Sequence, residues 1–179
     1  MLPGWIQRAR DKWHYRGTAR PSFADDPGPG QESVWDYPRP PALVPDPREV
    51  RVRASGELLA RTVRSVRILE TASPPTFYLP PEDIRRDALR PTTESSFCEW
   101  KGETQYWSTL DSAEVIAWSY PEPLPGFEAL AGWFSFYPGR VDCTVDGIRV
   151  EPQPGGFYGG WVTPELSGPF KGAPGSEAW

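Results

Sequence analysis

The chain has 179 residues, of which 38% are hydrophobic, with 23 prolines, 17 glycines and a formal net charge of −5. That length suits one domain with its own core and is short for two. The composition favours many turns and short strands over long helices, nine tryptophans argue against disorder, and the acidic balance gives no electrostatic reason to expect DNA or RNA. No apolar run approaches a membrane span. Residues 1–20 carry scattered charges without a continuous apolar stretch, which is not the pattern of a signal peptide. Cys98 and Cys143 lie far apart and neither belongs to a CxxC pair. The expectation is two free thiols in a reducing cytoplasm, with a disulfide as the alternative.

The elements fall into three parts. Residues 1–41 read as an arm, first basic (Arg8, Arg10, Lys12, Arg16, Arg20), then proline-rich, because prolines cannot pair inside a sheet. Val34, Trp35 and Tyr37 are the residues placed to pin that arm to the core. Residues 42–152 carry the period-two signals of a β domain. Val50 and Val52 alternate with charges, and Ser55-Gly56 reads as a tight turn into Leu58, Leu59 and Ala60. Residues 64–71 form a strand that sets Val66 and Ile68 on one face and Arg67, Leu69 and Thr71 on the other. A short strand spans residues 76–79. Pro80-Pro81-Glu82-Asp83 then opens a helix of about two turns through Leu89, since proline is tolerated in a first turn and acids suit the positive end of the helix dipole.

Residues 105–110 and 113–119 read as a hairpin around Asp111-Ser112. If that turn has two residues, Trp107 lies opposite Ile116, Gln105 lies opposite Trp118, and the two indoles share a sheet face. Residues 127–132 read as a short helix, and residues 133–137 and 140–145 as strands. Asp146-Gly147 is a strong hairpin signal before Ile148. The total is about eight strands and two short helices, which makes the chain mainly β and antiparallel. Residues 153–179 are rich in glycine and proline. Their aromatics, Phe157, Tyr158, Trp161, Phe170 and Trp179, are costly to leave in water, so this part reads as a second arm packed on the domain or on a neighbouring subunit.

The chemistry is sparse. The only histidine, His14, lies in the basic arm, which leaves no base for a Ser-His-Asp or Cys-His site. One histidine and two distant cysteines do not make a zinc site, and no clustered acidic loop suggests a carboxylate-only one, so no metal and no cofactor is expected. There is no GxxxxGK[ST] loop and no GxGxxG after a strand. The densest polar-aromatic run is residues 97–107, FCEWKGETQYW. A cysteine beside a lysine can act as a nucleophile, which makes Cys98 and Lys101 the catalytic candidates. Equally, Cys98 can be a small buried hydrophobe and Lys101 a surface ion-pair partner. Trp107 and Trp118 either line a ligand pocket or fill core. Phe170-Lys171-Gly172 near Trp179 echoes Trp100-Lys101-Gly102 near Trp107, either by chance or because both present an aromatic and a lysine to similar surroundings.

Several of these segments, in this order, carry a family resemblance: ESVWDYPRPP from Glu32, LET at Leu69, FYLPPEDI from Phe77, FCEWKGETQYW from Phe97, VIAWSYPEPLP from Val115, and the glycine-rich ending. From about Pro27 onward the chain resembles the Domain of Unknown Function 427 family. The resemblance implies a β-tent-like fold, in which two antiparallel sheets meet at an angle, as in the methionine sulfoxide reductase B domain and the thalidomide-binding domain of cereblon. Many such folds hold zinc through two CxxC pairs, which this sequence lacks. The aromatic cage of cereblon-like domains invites comparison with Trp107 and Trp118. A nucleotidyltransferase-like label attaches to the family, but no Gly-Ser motif with paired aspartates is present here.

Function therefore stays open among three classes. One is a small-molecule-binding module with a pocket at Arg67, Tyr78, Cys98, Lys101, Trp107, Trp118 and Tyr120. Another is an enzyme using the Cys98 thiol with Lys101 as charge partner. The third is a structural or interaction protein. Neither nucleic acid nor membrane is expected as a partner, and the arms offer a route to a homo-oligomer.

Overall fold

The computed structural model describes residues 2–179. One α-helix, α1 (Gly4–Asp11), precedes the strands β1 (Glu32–Ser33), β2 (Ala42–Asp46), β3 (Val50–Ala54), β4 (Glu57–Thr62) and β5 (Ser65–Leu69). The central strands are β6 (Thr76–Tyr78), β7 (Leu89–Cys98), β8 (Gly102–Thr109), β9 (Ala117–Ser119) and β10 (Phe134–Phe136). Then come β11 (Asp142–Val145), β12 (Ile148–Arg149), β13 (Glu151–Pro152), β14 (Trp161–Val162) and β15 (Leu166–Ser167). The fold is mainly β, with several antiparallel sheets and none closed into a barrel. Among the described residues no helix is long and apolar enough to cross a membrane.

Two tight turns set the first sheet, ordered β12-β11-β3-β4. Ser55-Gly56 has φ values of 49° and 83°, and Asp146-Gly147 has 48° and 77°. Positive φ at both central residues is the type I′ pattern, whose twist matches the flanking strands. With these turns fixed, Val50 meets Val145 and Val52 meets Cys143 across β3 and β11. Their side chains fill the main core while Arg51 and Arg53 face water.

The second sheet, ordered β10-β9-β8-β7, separates two apolar clusters. Successive side chains on a strand point to opposite faces. Phe77, Trp107, Ala117, Phe134 and Phe136 therefore enter the main core with the valines of the first sheet. Their neighbours Tyr78, Tyr106 and Trp118 enter a second cluster with Ile68, Tyr120 and Leu130. The third sheet, β2-β5-β6, joins this layer where Leu79 bridges to Phe134. On β5, Val66 and Ile68 face the second cluster and Leu69 a third, as the alternation predicts.

The two ends of the chain are built into the fold. β1 pairs in parallel with β15, and β13 pairs with β14. Trp35, fully buried, is met edge-on by the rings of Tyr15, Phe23 and Trp179, each about 5.2 Å away. Trp161 stacks on Phe77 at 4.8 Å and donates its indole N–H to the Phe136 carbonyl at 2.9 Å.

Four sequence expectations need correction. The helix expected from Pro81 to Leu89 is two separate 3₁₀ turns, Pro81–Asp83 and Arg86–Ala88, and β7 begins at Leu89. The short helix expected at 127–132 is a single 3₁₀ turn, Glu128–Leu130. The expected arm contains the helix α1, and the polar segment 89–98 is the long strand β7. β7 is an edge strand, where the missing N–H of Pro91 is tolerated, and its register shifts between Pro91 and Ser95. The hairpin of β8 and β9 pairs Trp107 with Ala117, Tyr106 with Trp118 and Gln105 with Ser119. That register is one residue from the expected one, because the loop is longer than two residues and its Ser112 hydroxyl accepts from the Glu114 N–H. A one-residue slip exchanges faces, so Trp107 and Trp118 lie on opposite sides of the sheet.

Two outcomes are expected. Gly147→Val should cost about 1 kcal/mol or more, through backbone strain alone, since no atom lies within 4 Å of the added Cβ position; thermal melts that superimpose would argue against the turn. Truncation before Gly155 removes Trp161 from the core, and the loss of one such residue costs about 3–5 kcal/mol. The truncated protein should melt several degrees lower, and trypsin should spare Lys171, which is 3% exposed in the folded chain.

Candidate functional site

The second cluster is not fully packed. Between it and the two ends of the chain lies a cavity of about 290 Å³. Its floor comes from strand positions that face away from the core: Tyr78 on β6, Tyr106 on β8, Trp118 on β9 and, just beyond β9, Tyr120. One wall is the tight connection between β7 and β8. Cys98 pairs with Gly102 across that connection, and Gly102 takes φ 105°, which only glycine adopts readily. Trp100 packs inward, and Lys101 reaches the cavity while its carbonyl accepts from the Leu124 N–H at 3.0 Å.

The roof comes from the two ends of the chain. Trp13, Tyr158 and Lys171 border the cavity with Lys12 and Phe157. The Lys171 ammonium lies 3.3 Å from the centre of the Trp13 ring and donates to the Trp179 carbonyl at 3.2 Å. Gln153 ties this strap together by donating to the Lys171 carbonyl at 2.7 Å and accepting from the Gly160 N–H at 3.0 Å. Gly159 lies flat against the Trp118 ring, with no room for a side chain. Phe157, 73% exposed, marks the rim.

The polar groups inside have distinct states. Trp118 donates its indole N–H to the Tyr78 oxygen at 3.0 Å. Burial pushes the Tyr78 and Tyr120 phenols above the ordinary range, so both stay protonated at neutral pH. Burial opposes the charge on Lys101, but Cys98, Tyr78, Glu70 and Glu99 around it outweigh that effect and hold its ammonium above the ordinary lysine range. Burial, reinforced by the Arg39 cation, pushes Lys171 down to about 8. The two acids bordering the cavity are both engaged: Glu70 pairs with Arg39 at 3.1 Å, and Glu99 accepts the Trp13 indole N–H at 2.5 Å. Among the described residues no cluster of three or more His, Cys, Asp or Glu is placed to hold a metal.

Of the residues singled out from sequence, Tyr78, Cys98, Lys101, Trp118 and Tyr120 border this one cavity. Two others lie elsewhere. Trp107 is in the main core, donating to the Ser119 hydroxyl at 2.9 Å, with the Arg86 guanidinium 3.8 Å above its ring. Arg67 points off the other face of β5 into ion pairs with Glu32 at 2.5 Å and Asp46 at 3.2 Å. Sequence reasoning did not find Trp13, Tyr106, Tyr137, Tyr158 or Lys171. The echo between the two Lys-Gly segments was a signal for the last: Lys101 and Lys171 border the same cavity, and Gly102 and Gly172 both take positive φ, 105° and 123°.

Fold and site together define an antiparallel β domain with an aromatic- and lysine-lined cavity. The chain belongs to the family described as Domain of unknown function (DUF427), whose model matches residues 42–147. None of the curated proteins matches it. The matched segment supplies the floor and the Cys98–Lys101 wall, while Trp13, Tyr158 and Lys171 lie outside it.

Gly159→Ala tests the contact between strap and floor. A methyl there would overlap the Trp118 ring, so the variant should lose about 1–3 kcal/mol and change the tryptophan emission. Unaltered melting and emission would mean that the strap does not sit on Trp118 in solution.

Proposed function

We propose that the chain is a small-molecule-binding β domain whose ligand occupies the cavity among Tyr78, Cys98, Lys101, Trp118 and Tyr120. The supporting observation is the cavity itself. Protein interiors are packed to crystal density, yet here an aromatic cluster leaves about 290 Å³ open with a lysine, phenols and a thiol on its surface. That is close to the lower end of ordinary ligand sites, about 300–1,000 Å³, and has their character: mostly apolar walls with a few convergent polar groups. Two free cysteines suit a cytoplasmic setting.

The direct test is native mass spectrometry of the gently purified full chain, followed by a thermal-shift and fluorescence screen with small organic compounds. Bound mass, or a compound that raises the melting temperature and shifts tryptophan emission, is the expected result. Trp118→Leu should abolish that response. A ligand response that survives in Trp118→Leu would place binding elsewhere.

A second reading, an enzyme using the Cys98 thiol, is favoured by one observation: Cys98 and Lys101 border the same cavity from the two sides of one tight turn. Iodoacetamide separates the two readings. Cys143 is 1% exposed, and burial pushes its thiol up, so only Cys98 should label in the native protein. Labelling much faster than that of a free cysteine at neutral pH, and slowed in Lys101→Met, would favour the enzyme. Slow labelling that Lys101→Met leaves unchanged would count against it.

A further inference from the structure

Lys101 is a buried cation on the cavity wall with no ion pair among the described residues. It is 8% exposed. Its nearest aromatic partner is the Tyr120 ring, 5.9 Å away. Burying an ammonium without a partner is costly, and proteins ordinarily pair such a group or leave it in water. The acids nearby are committed elsewhere, Glu70 to Arg39 and Glu99 to the Trp13 indole. Three lysines, Lys12, Lys101 and Lys171, border the cavity against those two glutamates. The hydroxyl groups add donors: the Tyr78 oxygen already accepts from Trp118, which leaves its own hydrogen to donate.

We propose that the cavity takes a small organic oxyanion, a carboxylate or a phosphate ester, whose charged group is held by Lys101 and whose body lies against Trp118 and Tyr137. This rests on the ligand-binding reading and names the chemical class of the ligand. The oxyanion gives Lys101 an ion-pair partner inside the cavity. Tyr137, whose ring centre lies 4.5 Å from that of Trp118, extends the aromatic wall on which a planar body would stack. Lys171 faces the ligand from the strap, so occupancy ties residues 153–171 to the domain.

The test uses the full chain at fixed ionic strength and three probes of similar shape: benzoate, phenyl phosphate and the neutral benzamide. Tryptophan quenching and calorimetry report binding. At least one anion should bind about tenfold or more tighter than benzamide, the difference expected for one charge-assisted hydrogen bond. The stronger of the two anions tells carboxylate from phosphate. Lys101→Met should erase the preference, while Arg149→Met at the exposed surface should keep it. Competition by inorganic phosphate on the unsubstituted chain reads the same preference without a variant. Equal binding of benzamide and the anions, or a preference that persists in folded Lys101→Met, overturns the oxyanion assignment and leaves the pocket standing. No binding of any probe, anionic or neutral, together with no bound mass in the native protein, overturns the pocket as well.

Discussion

Tyr78, Tyr106 and Trp118 can border a cavity only because their chain neighbours Phe77, Trp107 and Ala117 are fixed on the other face of the layer that the two bridged sheets form. The period of two along each strand makes these one decision. The main core, closed by Val50, Val52 and Val145 from the opposing sheet, is densely apolar and sets the register. The site is what that register presents on the reverse face. A slip of one residue between β8 and β9 would put Trp118 on the same face as Trp107 and remove it from the cavity. Stability and site chemistry are thus written on alternate residues of the same strands.

The matched family segment makes only part of the site. The rest depends on Trp35, which gathers Tyr15, Phe23 and Trp179 into one aromatic joint. Both ends of the chain contribute to that joint as well as to the cavity. Each aromatic contact in such a group contributes about 0.5–1.5 kcal/mol beyond its buried area, enough in sum to offset part of the entropy lost in ordering the ends. From this joint, α1 and the residues after it deliver Trp13 to the roof, and the C-terminal residues deliver Lys171.

Much of the β framework was legible because its signals are local. Asp146-Gly147 and Ser55-Gly56 need only four residues to declare a turn, and Val50 and Val52 need only their charged neighbours to declare a buried face. What failed was whatever depended on tertiary context. β7 is polar and contains Pro91, and nothing local reveals that it lies at an edge where both are tolerated. The acidic, proline-led segment after Tyr78 has the signature of a helix start, yet Ile84 is drawn into a bridge with Ala60 and the chain stops at 3₁₀ turns. The β8–β9 register turned on one loop residue. For the candidate site, the aromatic-lysine run at residues 97–107 drew attention to one wall of the cavity. Trp13 was invisible, and only the echo of the two Lys-Gly segments hinted at Lys171, because both arrive from distant parts of the chain by packing that no short pattern encodes.

The absence of a side chain at Gly159 has a meaning for how such sequences can drift. The space a methyl would take is filled by the Trp118 ring, so the two positions are not free to vary one at a time. Shortening residue 118 releases residue 159 from being glycine, and a side chain at 159 demands that 118 be small. Homologous sequences should therefore sort into two kinds, one with a large aromatic beneath a bare strap and one with a small residue beneath a substituted strap. The second kind would enclose a cavity of different depth on an otherwise unchanged sheet.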